Sequence, residues 1–239
     1  MSRLDDLVLF YALLDRLERK LGGIRQLAGC TGRMGWPKRG VYFFFEDGER
    51  RHESGQGPRI VRVGTHALKA GSKSTLWDRL SQHRGHAASG QGNHRGSIFR
   101  LLVGASLKAC HGTDVPRSWG MGADPGQAAA RLGWTREDVK RGEIEMESVV
   151  SKVIGQMPFL WLDIDDVPAQ TSLRGRIERN AIALLSNQNK PALDAPSSNW
   201  LGHHSDREKV RLSGLWNNNH VDEDYDPLFL RDLEDLVAR

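Results

Sequence analysis

Cysteine is scarce in this chain. Cys30 and Cys110 are the two in 239 residues, and neither belongs to a CxxC pair. That excludes a disulfide framework of the secreted kind and a cysteine-rich zinc module, and makes a reducing cytoplasm the expected compartment. Long hydrophobic runs are also lacking. The longest, Leu7 to Leu14, is far short of the roughly 20 residues a membrane helix needs, so no membrane partner is expected. The opening MSRLDDLVLF carries acids within its apolar stretch and has no small-residue cleavage site, so no signal peptide is read. Acids are thin from Arg50 to Arg100, where Glu53 and Asp78 stand against a series of arginines and lysines. They gather instead between Asp222 and Glu234. A basic first half beside an acidic tail suits a polyanionic ligand, although the net charge is only +4.

What is present supports one domain with elaborations. Hydrophobic residues make up 38% of the chain, and seven tryptophans offer large buried anchors. Leu4, Leu7, Val8, Tyr11, Leu14, Leu17 and Leu21 recur at helical spacing, which predicts a helix over 4–21 stopped by Gly22-Gly23. GVYFFFE (40–46) and RIVRVGT (59–65) read as strands joined by a glycine-rich loop. Ser74 is the expected cap of a helix from Thr75 to about His83, and Ser97 of one that follows it. Residues 105–143 look like an insertion, with a helix expected over Glu145–Ile154. PFLWLDI (158–164) reads as a central strand, SLRGRIERNAIALLSN as a helix capped by Ser172, and 227–238 as the last helix. The expected fold is α+β: a small antiparallel sheet of about three strands flanked by helices, with an N-terminal helix and a C-terminal extension over 191–239.

The order of these elements gathers reactive side chains. Arg79 and His83 are four residues apart and share a helical face. Tyr42 and Arg62, on paired strands, converge with them if the register permits. Glu178 follows on a later helix. Gly40-Val41-Tyr42, Arg62-Val63-Gly64, the LWDRLSQH helix and the Glu178 helix, taken in that order, resemble the GIY-YIG nuclease superfamily, and its restriction-endonuclease branch in style. The resemblance covers about 38–190, interrupted by 105–143. The second tripeptide carries Arg62 where the family usually has tyrosine.

The resemblance implies a metal-dependent endonuclease that hydrolyses phosphodiester bonds of DNA, most readily double-stranded. Glu178 would hold a Mg²⁺ or Mn²⁺ ion; Mg²⁺ keeps most of its waters, so one carboxylate can suffice. Arg79 would clamp phosphate oxygens. Either Tyr42 or His83 would take the proton from water, with Arg62 beside them; a free tyrosine titrates near ~10 and needs neighbouring cations to act as a base. Lys73, Arg84, His94 and Arg95 are the expected nucleic-acid contacts, and Asn199 is where the family's asparagine is sought. Restriction-like cutting of both strands implies a homodimer. Asp163, Asp165 and Asp166 form a second carboxylate cluster, read as an acidic strand end in preference to a metal site. The alternative function is a nucleic-acid-binding protein that keeps the fold without cutting, which the tyrosine-to-arginine change at position 62 motivates.

Overall fold

The computed structural model describes residues 2–112 and 116–239. Thr113 to Val115, within the expected insertion, lie outside the described residues. The described chain holds eight α-helices: α1 (Arg3–Leu21), α2 (Leu76–Arg84), α3 (Ile98–His111), α4 (Pro125–Leu132), α5 (Arg136–Gln156), α6 (Leu173–Leu185), α7 (Glu208–Ser213) and α8 (Phe229–Ala238). It holds four strands: β1 (Arg25–Gln26), β2 (Gly40–Arg50), β3 (Pro58–Gly64) and β4 (Pro158–Asp163). The class is α+β, as expected. The three anticipated strands are present, and the two-residue β1 adds a fourth at the edge in the order β1-β4-β2-β3, every pair antiparallel. No described helix is long and apolar enough to cross a membrane.

Strand alternation divides the core into two layers. Val41, Phe43, Phe45 and Val63 face α1, α6 and α8, while Tyr42, Phe44, Phe159 and Trp161 face α2, α3 and α5. The β2–β3 register shifts twice, once between Phe45 and Arg50 and once beside Arg62. Phe44 pairs with Arg62 but Phe45 pairs with Ile60, so Val61 is an extra residue, a β-bulge. Val61 then joins the Tyr42 layer while Ile60 and Val63 both join the other. The bulge therefore leaves Arg62 opposite Phe44, two positions from Gly64, with its guanidinium on the Tyr42 side over the Phe99 ring at 4.8 Å.

Four boundaries differ from expectation, the first being β2, which runs on to Arg50 through the start of the expected loop. Thr75, not Ser74, caps α2, in a reciprocal capping box with Asp78. The helix expected over 145–154 starts at Arg136 after a Thr135–Asp138 capping box. The last helix begins at Phe229.

The C-terminal extension closes the outer edge of β3. The Trp216 N–H donates to Val61 O at 2.6 Å. The Asn217 side chain pairs with Val63 as a strand would, donating to its carbonyl (2.8 Å) and accepting from its N–H (3.2 Å). Further out, Asp194 clamps the β2–β3 loop: Oδ1 accepts the N–H groups of His52, Glu53 and Ser54, and Oδ2 the Ser54 hydroxyl. Asp194 has φ +49°, a conformation Asp and Asn tolerate. Burial pushes its carboxyl up, but these hydrogen bonds outweigh it and hold it below the ordinary range. A depressed carboxyl adds stability above its unfolded value near ~3.9, and that stability is lost as pH falls through the folded value. We expect Asp194→Ala to cost about 2–3 kcal/mol at neutral pH, because it removes the acceptor of four donors, the two of Ser54 buried. We expect Asp194→Asn to flatten the acid limb of the stability–pH curve, as measured by denaturant melts between pH 3 and 7.

Candidate active site

Four elements meet at one end of the sheet. A cleft of about 390 Å³ opens there, lined by Arg62 and Thr65 from the end of β3, Arg79 from α2, Glu178 and Ile182 from α6, and the run Asn217 to His220. Three of the expected site residues, Arg62, Arg79 and Glu178, share this cleft.

Glu178 makes a single polar contact among the described residues. Its Oε1 accepts the Thr65 N–H at 3.0 Å, which fixes the carboxylate. Burial pushes its carboxyl above the ordinary range, against the pull of the Arg62 guanidinium and the Thr65 amide. It does not pair with Arg174; that arginine, fully buried, bonds Asp166 and the carbonyl of His66. Asp166 is thereby an anchor for the start of α6. No group of three or more metal-ligating side chains occurs among the described residues, so the Asp163–Asp166 run is not such a group.

Arg62 is almost fully buried. One of its terminal nitrogens donates to Trp216 O, and burial lowers its pKa, with nearby Tyr42 and Glu178 opposing that and Arg79 adding to it. Arg79 donates to Gln82 Oε1 and Gly96 O, each at 3.1 Å. The Nε atoms of both arginines are buried with no acceptor among the described residues. The Nε atoms of Arg39, Arg51 and Arg95 are likewise without an acceptor among the described residues, so it is the shared cleft that sets Arg62 and Arg79 apart.

Tyr42 and His83 are joined, but beneath the cleft wall. Both are fully buried. The Tyr42 hydroxyl and His83 Nε2 share a 2.8 Å hydrogen bond, and His83 Nδ1 lies 2.8 Å from Ser97 Oγ. Burial, followed by the charges of Arg79, Arg62 and Arg100, drives the His83 pKa far below the ordinary value, so the imidazole is neutral at pH 7. The last residue of β3 makes this packing possible. Tyr42 pairs with Gly64 across the ladder, and a Cβ on Gly64 would stand 2.3 Å from the phenolic oxygen. Gly64→Ala is therefore expected to push Tyr42 off its position, break the bond to His83 and cost about 1–3 kcal/mol of overpacking strain. Thermal melts and the NMR resonances of the His83 ring check this.

The remaining expected residues are dispersed. Lys73 is exposed on the loop before α2. Arg84 stacks over Trp77 at 5.1 Å and donates to the carbonyls of Cys30 and Gly85. His94 is buried, stacked on Trp119, with its Nδ1–H on Glu147 Oε1 at 2.8 Å. Arg95 forms a two-pronged pair with Glu143 at 2.6 and 2.7 Å. His94 and the terminal nitrogens of Arg95 thus bond within the protein. Asn199 is exposed and does not line the cleft; the amides there are Asn217, Asn218 and Asn219, the first of them eighteen positions further on. Sequence reasoning passes over both Asn217 and His220. The one available signal is Asn217-Asn218-Asn219-His220, a polar run directly after Trp216.

A GIY-YIG domain profile matches residues 1–239. No curated protein and no solved structure matches the chain.

Proposed function

We propose that this chain, which belongs to the GIY-YIG domain family, is an endonuclease that hydrolyses phosphodiester bonds of DNA with a divalent cation, Mg²⁺ or Mn²⁺. The family supports nuclease activity in general; the metal, the DNA substrate and the residue roles are our reading. One observation carries it: Arg62, Arg79 and Glu178, from three separate elements, line one cleft, and Glu178 keeps one carboxylate oxygen without a partner among the described residues.

The parts match what the reaction needs. Hydrolysis requires a deprotonated water, neutralisation of added phosphoryl charge and a stabilised leaving oxygen. Arg62 and Arg79 both line the cleft, and guanidinium geometry suits phosphate oxygens. Glu178 fits a cation, being a single carboxylate fixed through one oxygen, as Mg²⁺ requires of a protein that leaves it most of its waters. A cation bound there supplies charge stabilisation to the phosphoryl group and the leaving oxygen. The phenolate form of Tyr42 would accept the water proton, with the neutral His83 ring donating Nε2–H to it and taking the Ser97 hydroxyl at Nδ1. Tyr42 is fully buried and does not line the cleft, so this role requires the cleft wall to open when substrate binds.

The test is incubation of the purified chain with plasmid and linear DNA, and with RNA, in Mg²⁺, Mn²⁺ or EDTA. Cutting of DNA that EDTA stops supports the reading; salt-dependent binding without any cutting selects the non-cleaving alternative. Tyr42→Phe is expected to slow cutting by roughly 10²–10⁴-fold, the usual worth of a positioned proton acceptor. Full single-turnover activity in that variant would transfer the role away from Tyr42. Analytical ultracentrifugation with a short duplex tests the homodimer that double-strand cutting implies.

A further inference from the structure

His220 is the least expected residue of the cleft. It lines the same cleft as Glu178. Its backbone sits at φ +65°, a left-handed conformation that side-chain-bearing residues seldom adopt and that clusters at functional sites. The surrounding chain holds it there at both ends. Trp216 and Asn217 are bonded to β3, the Ser186 hydroxyl donates to Val221 O at 2.5 Å, and Lys190 donates to Glu223 O at 2.6 Å.

The ring is oriented as well as placed. His220 Nδ1 lies 2.8 Å from Glu223 Oε1, and a carboxylate only accepts, so Nδ1 carries the proton. In the neutral ring Nε2 is then a lone pair, and it has no partner among the described residues. Glu223 is itself gripped by the Arg179 guanidinium. A histidine with one ring N–H on a carboxylate and the other nitrogen free is the arrangement that metal-binding histidines use to fix tautomer and direction.

We infer that His220 is a second protein ligand of the cation that Glu178 holds, binding through Nε2 with Glu223 as its orienting partner. The inference rests on the reading of Glu178 as a cation ligand. It adds a chemical consequence: an imidazole beside one carboxylate favours Mn²⁺ or Co²⁺ over Mg²⁺, which prefers oxygen.

The experiment uses Mn²⁺ and the full chain, alone and with a short phosphorothioate duplex. Electron spin-echo spectroscopy should show nitrogen coupling from one imidazole on the bound ion. His220→Asn, which tolerates the left-handed backbone, should lose that coupling and bind Mn²⁺ roughly 10-fold or more weakly. Glu223→Gln should keep the coupling and weaken binding by about 10–100-fold, as loss of an orienting partner does. Bound Mn²⁺ without nitrogen coupling, or coupling that survives in His220→Asn, overturns the inference and leaves Glu178 in place. Absence of Mn²⁺ binding in the parent, or unchanged binding in Glu178→Gln, overturns the Glu178 reading and this inference with it. Circular dichroism of each variant separates lost ligation from lost fold.

Discussion

Glu178→Gln is expected to abolish cleavage while leaving the protein at least as stable as the parent. The two effects have one cause. The carboxylate is buried beside the cleft and pushed above its ordinary range by desolvation, with Arg62 and the Thr65 amide only partly compensating. For a carboxyl raised in the folded state, ionisation is a cost that appears as pH climbs from the unfolded value near ~4.3 through the folded one. At neutral pH the parent bears that cost in the absence of a cation. Glutamine does not, and its Oε1 can still accept the Thr65 N–H that fixes residue 178. Apparent melting temperature in EDTA should therefore be equal or higher in the variant. Function moves the other way. A cation at a phosphoryl centre is worth several kcal/mol of transition-state stabilisation, and about 1.4 kcal/mol is a factor of ten. We expect cleavage to fall by about 10³-fold or more. Mg²⁺ should raise the parent's melting temperature by mass action and leave the variant's unchanged. A variant that cuts at the parent's rate, or whose melting responds equally to Mg²⁺, would remove Glu178 from the role.

The sequence was most legible where the signals are local. The apolar spacing of α1 and its glycine stop, the aromatic β2, and the Ser172 cap of α6 all act within a few residues, and each element lies where periodicity places it. The i, i+4 relation of Arg79 and His83 held in part: both turn toward the Tyr42 side, but Arg79 lines the cleft and His83 lies beneath it. Helix α5 was half hidden because its buried face is not wholly apolar. Glu143 and Glu147 stand among Val139, Met146 and Val150 on that face, and two carboxylates there obscure the hydrophobic period until Arg95 and Arg100 are known to meet them. The position of Asn217 was not legible at all. It depends on an edge pairing with β3 more than 150 residues away in sequence, made partly by a side-chain amide imitating backbone. The Val61 bulge is of the same kind. Alternation in RIVRVGT names two strand faces, and only the register with β2 tells which face Arg62 takes.

The carboxylate that obscured α5 also carries the largest expected stability effect. Glu147→Ala should destabilise the fold by about 3–5 kcal/mol, the cost of leaving a buried charge without its partner. That charge is Arg100, which is fully buried. It donates to Glu147 Oε2 through Nε (2.9 Å) and a terminal nitrogen (2.6 Å), and to His83 O at 2.8 Å. Glu147 also takes the His94 N–H at 2.6 Å and the His94 ring at 2.8 Å. Burial pushes the Glu147 carboxyl up, but these donors overcome it and hold it below the ordinary range. For a chain of this length, 1 kcal/mol corresponds to about 2–4 °C, so melting should fall by roughly 6–20 °C. The pair Arg100→Met with Glu147→Gln separates an orphaned charge from a lost attraction. Glutamine can still accept from His94, methionine needs no partner, and an apolar replacement of a buried ion pair is often neutral. Most of the lost stability should return in that double variant. Activity should not return with it, because Arg100 also bonds the carbonyl of His83 and so sets the ring that meets Tyr42. A double variant as unstable as Glu147→Ala would place the cost in packing around α5. One that recovers full cleavage would show that His83 holds its position through Ser97 alone.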